Sequence, residues 1–416
     1  MSRAVVVVTT LIGVGLLVLQ GMSMAPTLVS STRGGDAELR RQLASANREL
    51  GSLRDQLTTE RRRLAALQQP GGEVASQQQA QQQAQQQPAQ KHQLATPPQA
   101  AQRWDETPDH RRLYELLTRV ANPRREVMMG LVNDVMMCTN HRTCWWNGGN
   151  ILETFLQALK RIGLTNYAMV TLDDAAEQFC QRFGGVPSLR MALPVPTAQQ
   201  GSRGANMIST LKYGLLRQML LMEFSVLVVD LDIIFLKDPF AHLYRDADIE
   251  GSTDGFTAAW AGGSISSVHE PRMGWGAGGL YVQFFTMNVG CAFIQPTPRA
   301  IDLMERVARR LSQAAAWDQQ VFNQEAMLLS HGAYNGSKVS LRVLHFDQWV
   351  NSKVYFFSSR SKFIPGHAVS EAETPVMVHM NYHPDKHKRM LCVWERYTKG
   401  KLNACDQFPG GSEKGT

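Results

Sequence analysis

The stretch Val226–Phe240, VLVVDLDIIFLKDPF, decides how the rest of the chain is read. An apolar run leads into Asp230, and a second one follows Asp232 and stops at Lys237-Asp238-Pro239. Short apolar runs rich in Val and Ile predict a buried strand of a parallel sheet. Side chains alternate along a strand, so Asp230 and Asp232 leave one side and Leu231 the other. In open α/β sheets ligands collect outside the carboxyl ends of the strands. Two carboxylates at such a place are costly unless paired or holding a cation. The plain reading is a strand end whose acids meet nearby Lys and Arg. The sharper one is a divalent-cation site for a nucleotide diphosphate.

The segments before this strand prepare for a tethered domain. Arg3 precedes an uncharged stretch from Ala4 to Leu28, whose core Ala4–Leu19 is short for a spanning helix and reaches a spanning length only with the residues that follow. Residues 1–28 are therefore expected to be a signal anchor; a cleavable signal peptide is the competing reading, because Gly21 and Ser23 fit a small-residue cleavage pattern. Leu43, Leu50, Leu57 and Leu64 are seven apart, and Ala46, Leu53, Glu60 and Leu67 follow each by three. That heptad pattern predicts a coiled-coil stalk over residues 36–69 and a homodimer through it, or else a single solvated helix. Gly51 weakens the helix by about 1 kcal/mol relative to Ala. Residues 70–103, rich in Gln, Ala and Pro, cannot build a core and form a linker.

A folded domain is expected over 104–408, with a short tail at 409–416. At 44% apolar residues, the 416-residue chain has material for a sizeable core. A formal charge of +7 without a dense basic block excludes a nucleic-acid binder. Strands are expected at Arg125–Asn133, Tyr167–Leu172, Asn288–Gln295, Val339–Phe346 and Pro375–Met380. Helices are expected at Asn150–Gly163, Ala175–Phe183, Met207–Glu223, Ile301–Ala316 and from Trp317 to Leu329. Such alternation predicts βαβ units around a parallel sheet. Ser252–Gly279, long, Gly-rich and carrying Trp260 and Trp275, reads as a functional loop. Of six cysteines, Cys138 with Cys144 and Cys392 with Cys405 are close enough for small disulfide loops, while Cys180 and Cys291 read as buried thiols. Asn335-Gly336-Ser337 is a glycosylation sequon.

Four blocks then carry a resemblance: DLD at 230–232, MNVGCAF at 287–293, WDQQVFNQE at 317–325 and HMNYHPDK at 379–386. In this order they resemble the nucleotide-diphospho-sugar transferase family of plants and green algae, over roughly Arg125–Tyr397. The resemblance implies an α/β, GT-A-like, Rossmann-type, mostly parallel sheet flanked by helices. It also implies a Golgi, single-pass type II glycosyltransferase with a lumenal catalytic domain. Its donor would be a UDP-sugar, with arabinose as the first choice and xylose or galactose next. Its acceptor would be a hydroxyl of a glycoprotein or cell-wall polysaccharide.

The resemblance and the residue chemistry together assign roles. Asp230 and Asp232 offer hard oxygen ligands, and an imidazole beside them favours Mn²⁺ over Ca²⁺, with Mg²⁺ as the substitute. His379, at the end of the strand Val376–Val378, is the expected third ligand; His383 is the competitor. Lys386 is expected to hold the departing diphosphate. Lys212, taken to open the helix before the cation strand, is expected to reach the donor phosphates, against the reading of an ordinary solvated lysine. Asn288 and Gly290 are expected at the donor, Gly290 admitting a sugar to the backbone unless it serves only tight packing. Asp318 and Gln319 are the catalytic candidates facing sugar or acceptor, although Asp318 would also suit a helix cap.

Two alternatives stay open on the sequence. One is a phosphatase of the haloacid dehalogenase type, whose nucleophile also sits in a DxD but normally in its first strand. The other is a non-catalytic lumenal sugar-binding protein. Truncation tests the domain reading: a chain beginning at Arg103 is expected to fold and to keep full activity in solution. A folded but inactive truncation would make the stalk part of the enzyme.

Overall fold

The computed structural model describes residues 103–140, 149–201, 204–256, 263–265, 287–327, 338–364 and 370–410. The expected anchor at 1–28, the stalk at 36–69, nearly all of the linker at 70–103, most of the tail, Trp260, Trp275 and the sequon lie outside them. Among the described residues no helix is long and apolar enough to cross a membrane.

The first half of the domain is a run of βαβ units. Helix α1, Pro108–Val120, starts where the Thr107 side chain accepts the His110 N–H at 3.2 Å and Pro108 presets the first turn. Strand β1, Glu126–Val132, is buried almost throughout. Helix α2, Ile151–Arg161, is capped by Asn150, and α3, Asp174–Arg182, by Asp173, each accepting a backbone N–H three residues on. Between them lies β2, Tyr167–Thr171, and after them come β3, Ser188–Arg190, helix α4, Gly204–Leu221, and β4, Ser225–Val229. All three pairings, β1 with β2, β1 with β4 and β2 with β3, are parallel.

After β4 the chain leaves this sheet. Asp230–Asp232 form a bend, and β5, Ile233–Phe235, belongs to a second sheet. The strand expected to end at Asp230 and Asp232 is thus followed at once by another strand, in another sheet. The apolar runs on both sides are buried, as the sequence implies, but they are paired with different partners. Strands β6, Ile249–Thr253, β7, Gly263–Ile265, and β8, Met287–Ile294, return to the large sheet. Helices α5, Pro298–Gln313, and α6, Asp318–Met327, follow, and then β9, Leu341–Val343. The large sheet has the order β3-β2-β1-β4-β8-β6-β9-β7, with β8 and β7 running against the others. Strands β10, Trp349–Asn351, and β11, Met377–His379, complete the small sheet in the order β10-β11-β5. Helix α7, Lys386–Thr398, closes the domain, and a Cys392–Cys405 disulfide ties it to the segment that follows. Cys138 is also disulfide-bonded, and Cys180 and Cys291 are buried thiols.

The period-two alternation of the strands divides the core. Val127 and Met129 of β1, with Val226 and Val228 of β4, face a cluster built with α1, α4, α5 and α6. Met128 and Val132, with Leu227 and Val229, face a second cluster built with α2, α3, α7 and the small sheet. Fully apolar strands are what a sheet covered on both faces requires. The mixed α/β architecture with a mostly parallel sheet agrees with the expectation. The small sheet and the elements α1, β3, β6, β10 and α7 are additions to it.

Helix α6 is fixed from two directions. The Asn323 side chain accepts the Met287 N–H at 2.8 Å and donates to the Met287 carbonyl at 2.9 Å, tying the helix to the start of β8. From α5, Arg306 Nε lies 3.0 Å and Arg310 Nη1 3.1 Å from the buried carboxylate of Glu325. Breaking a buried ion pair by removing one partner destabilises by about 3–5 kcal/mol. Glu325→Ala is therefore expected to lower the unfolding free energy by roughly that amount in urea titrations. A midpoint equal to wild type would mean that the clamp does not hold α6.

Candidate active site

The bend between the two sheets gathers the polar groups. Asp230 N–H donates to the Gly290 carbonyl at 2.7 Å, which fixes Asp230 at the carboxyl end of β4 beside β8. The Asp232 carbonyl accepts the Met380 N–H at 2.9 Å, which joins the bend to the end of β11. Antiparallel pairing of β11 with β5 sets His379 opposite Ile233, one residue past Asp232. As a result, ligand atoms of Asp230, Asp232 and His379 lie within 4.8 Å of one another. His379 Nε2 is 3.1 Å from Asp232 Oδ1 and 4.0 Å from Asp230 Oδ2.

Asp232 and His379 are buried, whereas the Asp230 side chain is 49% exposed. Lys386, the first residue of α7, brings Nζ to 2.5 Å from Asp232 Oδ2. Burial alone would raise the Asp232 carboxyl, but the Lys386 ammonium and the His379 imidazole outweigh it and hold the acid well below the usual carboxylate range. Gly290 forms the wall: a Cβ there would stand 2.4 Å from Asp230 Oδ2 and 2.8 Å from His379 Cε1. Two carboxylates and an imidazole, with one acid open to solvent and a glycine that lets them close in beside β8, form a donor set that fits a small divalent cation such as Mn²⁺. His383 is not part of this cluster. It is buried edge-on to Phe356 at 5.7 Å between ring centres, and burial, with Arg389 beside it, pulls its imidazole down to about 4.

Lys212 neither opens a helix nor meets solvent. It lies in the middle of α4, because that helix starts earlier than the apolar pattern suggested, and it is buried. Its Nζ is 3.0 Å from Asp318 Oδ2 and within 3.4 Å of the Val289 carbonyl on β8. Burial pushes the ammonium toward neutrality, but Asp318 and Asp230 outweigh burial and raise it above its ordinary value. Asp318, the first residue of α6, is itself buried, and the Tyr213 hydroxyl donates to the same oxygen at 3.0 Å. Lys212 thus stands between Asp318 and the Asp230 end of the cluster.

Asn288 and Gln319 meet at a residue that the sequence reading missed. Asp254, just past β6, accepts from Asn288 Nδ2 at 2.6 Å, Gln319 Nε2 at 2.5 Å and Asn381 Nδ2 at 2.8 Å. Asn288 Oδ1 in turn accepts the Gly290 N–H at 2.9 Å, so this network adjoins the Asp230–Asp232–His379 cluster. Asp254 lies inside Ser252–Gly279, the loop marked as functional, but nothing local distinguishes it there.

Replacing Gly290 tests the cluster as a cation site. Gly290→Ala puts a methyl group against Asp230 and His379, and calorimetric Mn²⁺ affinity is expected to fall at least about tenfold, or 1.4 kcal/mol. Undiminished affinity in a folded variant would place the cation elsewhere.

Residues 162–391 match the family described as nucleotide-diphospho-sugar transferase. The chain is 38% identical over 302 residues to arabinosyltransferase RRA2 of Arabidopsis thaliana, covering 73% of this chain and 66% of that protein. It is 35% identical over 301 residues to arabinosyltransferase RRA1 of Arabidopsis thaliana, covering 72% of this chain and 70% of that protein. The solved apo structure of mouse xyloside xylosyltransferase 1 aligns at a TM-score of 0.35 and 12% identity, over 62% of this chain and 98% of the mouse one. The match sets the phosphatase alternative aside, and the chain belongs to the nucleotide-diphospho-sugar transferase family.

Proposed function

We propose that this protein is a GT-A-type glycosyltransferase that moves arabinose from a UDP-sugar to a hydroxyl of a glycoprotein or cell-wall polysaccharide. The observation that carries the reading is the meeting of Asp230, Asp232 and His379 beside Gly290, with Lys386 at its edge. The choice of arabinose is supported by the names of the two Arabidopsis relatives. In the same reading, residues 1–28 anchor the protein in the Golgi membrane, residues 36–69 dimerise, and the linker holds the domain of residues 104–408 in the lumen.

A Mn²⁺ held by Asp230, Asp232 and His379 would neutralise charge on the departing diphosphate. Lys386, a cation on the first turn of α7, would hold that diphosphate. The free backbone N–H groups there add to the attraction, because a helix N-terminus favours anions. Lys212 contributes a second positive charge behind β8, kept protonated by Asp318 and Asp230. The missing side chain at Gly290 lets Asp230 and His379 close in on β8, where the donor would meet them. Gln319 presents its amide to donor or acceptor hydroxyls, and Asn288, whose amide is taken by Asp254 and the Gly290 N–H, lines the same side of the donor site.

The test is UDP release from UDP-arabinose, UDP-xylose and UDP-galactose, with and without Mn²⁺, by the soluble domain. Release is expected to be fastest with UDP-arabinose and to require the metal. Asp232→Asn removes a charge without changing shape and is expected to lower the rate about 10²–10³-fold, the usual loss for a transition-state charge contact. His379→Ala is expected to raise the Mn²⁺ concentration required, and His383→Ala to do much less. Metal-independent turnover, or a dead His383→Ala beside a normal His379→Ala, would overturn the assignment.

A further inference from the structure

We infer that Asp254 is a positioning residue of this site: it locks the Gln319 amide so that the Gln319 carbonyl oxygen is a fixed acceptor for a hydroxyl of the donor sugar. The inference rests on the function proposed above and names a residue and an interaction beyond it.

Asp254 collects side-chain amides from three other segments: β8 through Asn288, α6 through Gln319, and the turn after β11 through Asn381. An amide has a donating and an accepting end, and an ionised carboxylate only accepts. Each of the three amides therefore turns its nitrogen to Asp254 and its oxygen away. Two of those oxygens have partners within the protein. Asn288 Oδ1 accepts the Gly290 N–H at 2.9 Å, and Asn381 Oδ1 accepts the Ser352 hydroxyl at 3.2 Å. The Gln319 side-chain oxygen meets no donor among the described residues, although the residue is only 5% exposed, and it is not sealed from solvent. It is the open acceptor of the network.

The lock is itself held rigidly. The Tyr382 hydroxyl donates to the Asp254 carbonyl at 3.0 Å, and burial, with Asp254 next to it, raises that phenol and keeps it a donor. Asn351 Nδ2 donates to the carbonyls on either side, Thr253 at 2.9 Å and Gly255 at 2.8 Å. Through Asn288 the network reaches the space beside Asp230, where the diphosphate of a donor would lie. An unpartnered, fixed acceptor joined to that space through Asp254 and Asn288 suits an O–H donor, and the donor sugar carries hydroxyls. A buried oxygen whose partner arrives with the ligand rejects analogues lacking the hydroxyl.

The test compares Asp254→Asn, Gln319→Ala and the double variant in UDP release from UDP-arabinose with Mn²⁺. Asp254→Asn supplies an end that can also donate, so the Gln319 amide loses its fixed sense. Expected are a fall in kcat of about 10–100-fold, a UDP affinity within about twofold of wild type, and a double variant no slower than Gln319→Ala alone. A second readout does not need turnover. In nitrogen-15 glutamine-labelled protein the Gln319 side-chain amide signal, identified by its loss in Gln319→Ala, is expected to exchange slowly in wild type and fast in Asp254→Asn. Unchanged exchange, wild-type kcat in Asp254→Asn, or losses that multiply in the double variant would each overturn the inference. A wild-type protein that releases no UDP from any nucleotide sugar would instead overturn the proposed function, while the exchange measurement still judges the lock.

Discussion

The pairing of β5 with β11 is the constraint on which the site depends. Three residues of each strand, in antiparallel register, join the bend after β4 to a segment almost 150 positions later, the His379–Asp232 pair being separated by 147 residues. Without that ladder Asp230 and Asp232 would end an ordinary parallel strand, and His379 would have no fixed relation to them. The pairing satisfies backbone groups that the chain exposes on leaving the large sheet. It also aims two acids and an imidazole at one point. Main-chain hydrogen bonding and the gathering of ligands are here one event.

A second layer supports the first. Helix α6 is fixed to β8 by Asn323 and to α5 by Glu325, and it carries Asp318 and Gln319 at its start. Asp318 is drawn inward by Lys212 and Tyr213, whereas Gln319 turns to Asp254. Adjacent residues at a helix start thus serve different networks, one ionic and sealed, the other an amide network reaching the Asp230–Asp232–His379 cluster. Since charge interactions strengthen in a water-poor interior, Asp318 and then Asp230 hold the buried Lys212 ammonium charged against the cost of burial.

The sequence reading went furthest where pattern and chemistry coincide. The apolar strands β1, β2, β4 and β8 and the helices α2, α3, α4, α5 and α6 were legible because a two-sided sheet and its covering helices impose strong periodicities. Short strands such as β3, β7 and β10 carry too few residues for a period, and α1 and α7 were hidden in polar stretches. Lys212 was misjudged because helix position and burial depend on what packs on α4. Asp254 was invisible because its partners at 288, 319 and 381 are distant in sequence.

The sequence by itself determined the composition of the site: the paired acids, a histidine and a lysine near the far end, a glycine and an asparagine on a buried strand, and a family resemblance spanning them. It determined as well that the strands are covered on both faces, since only such a sheet tolerates wholly apolar runs. Only the tertiary structure decided that Val226–Phe240 divides between two sheets, that His379 and not His383 meets the acids, and that Lys212 is buried against Asp318. Those outcomes follow from strand register and side-chain packing across long sequence separations. Local propensity does not encode them, because a register is chosen by the partner strand and a buried charge by whatever opposite charge the fold brings to it.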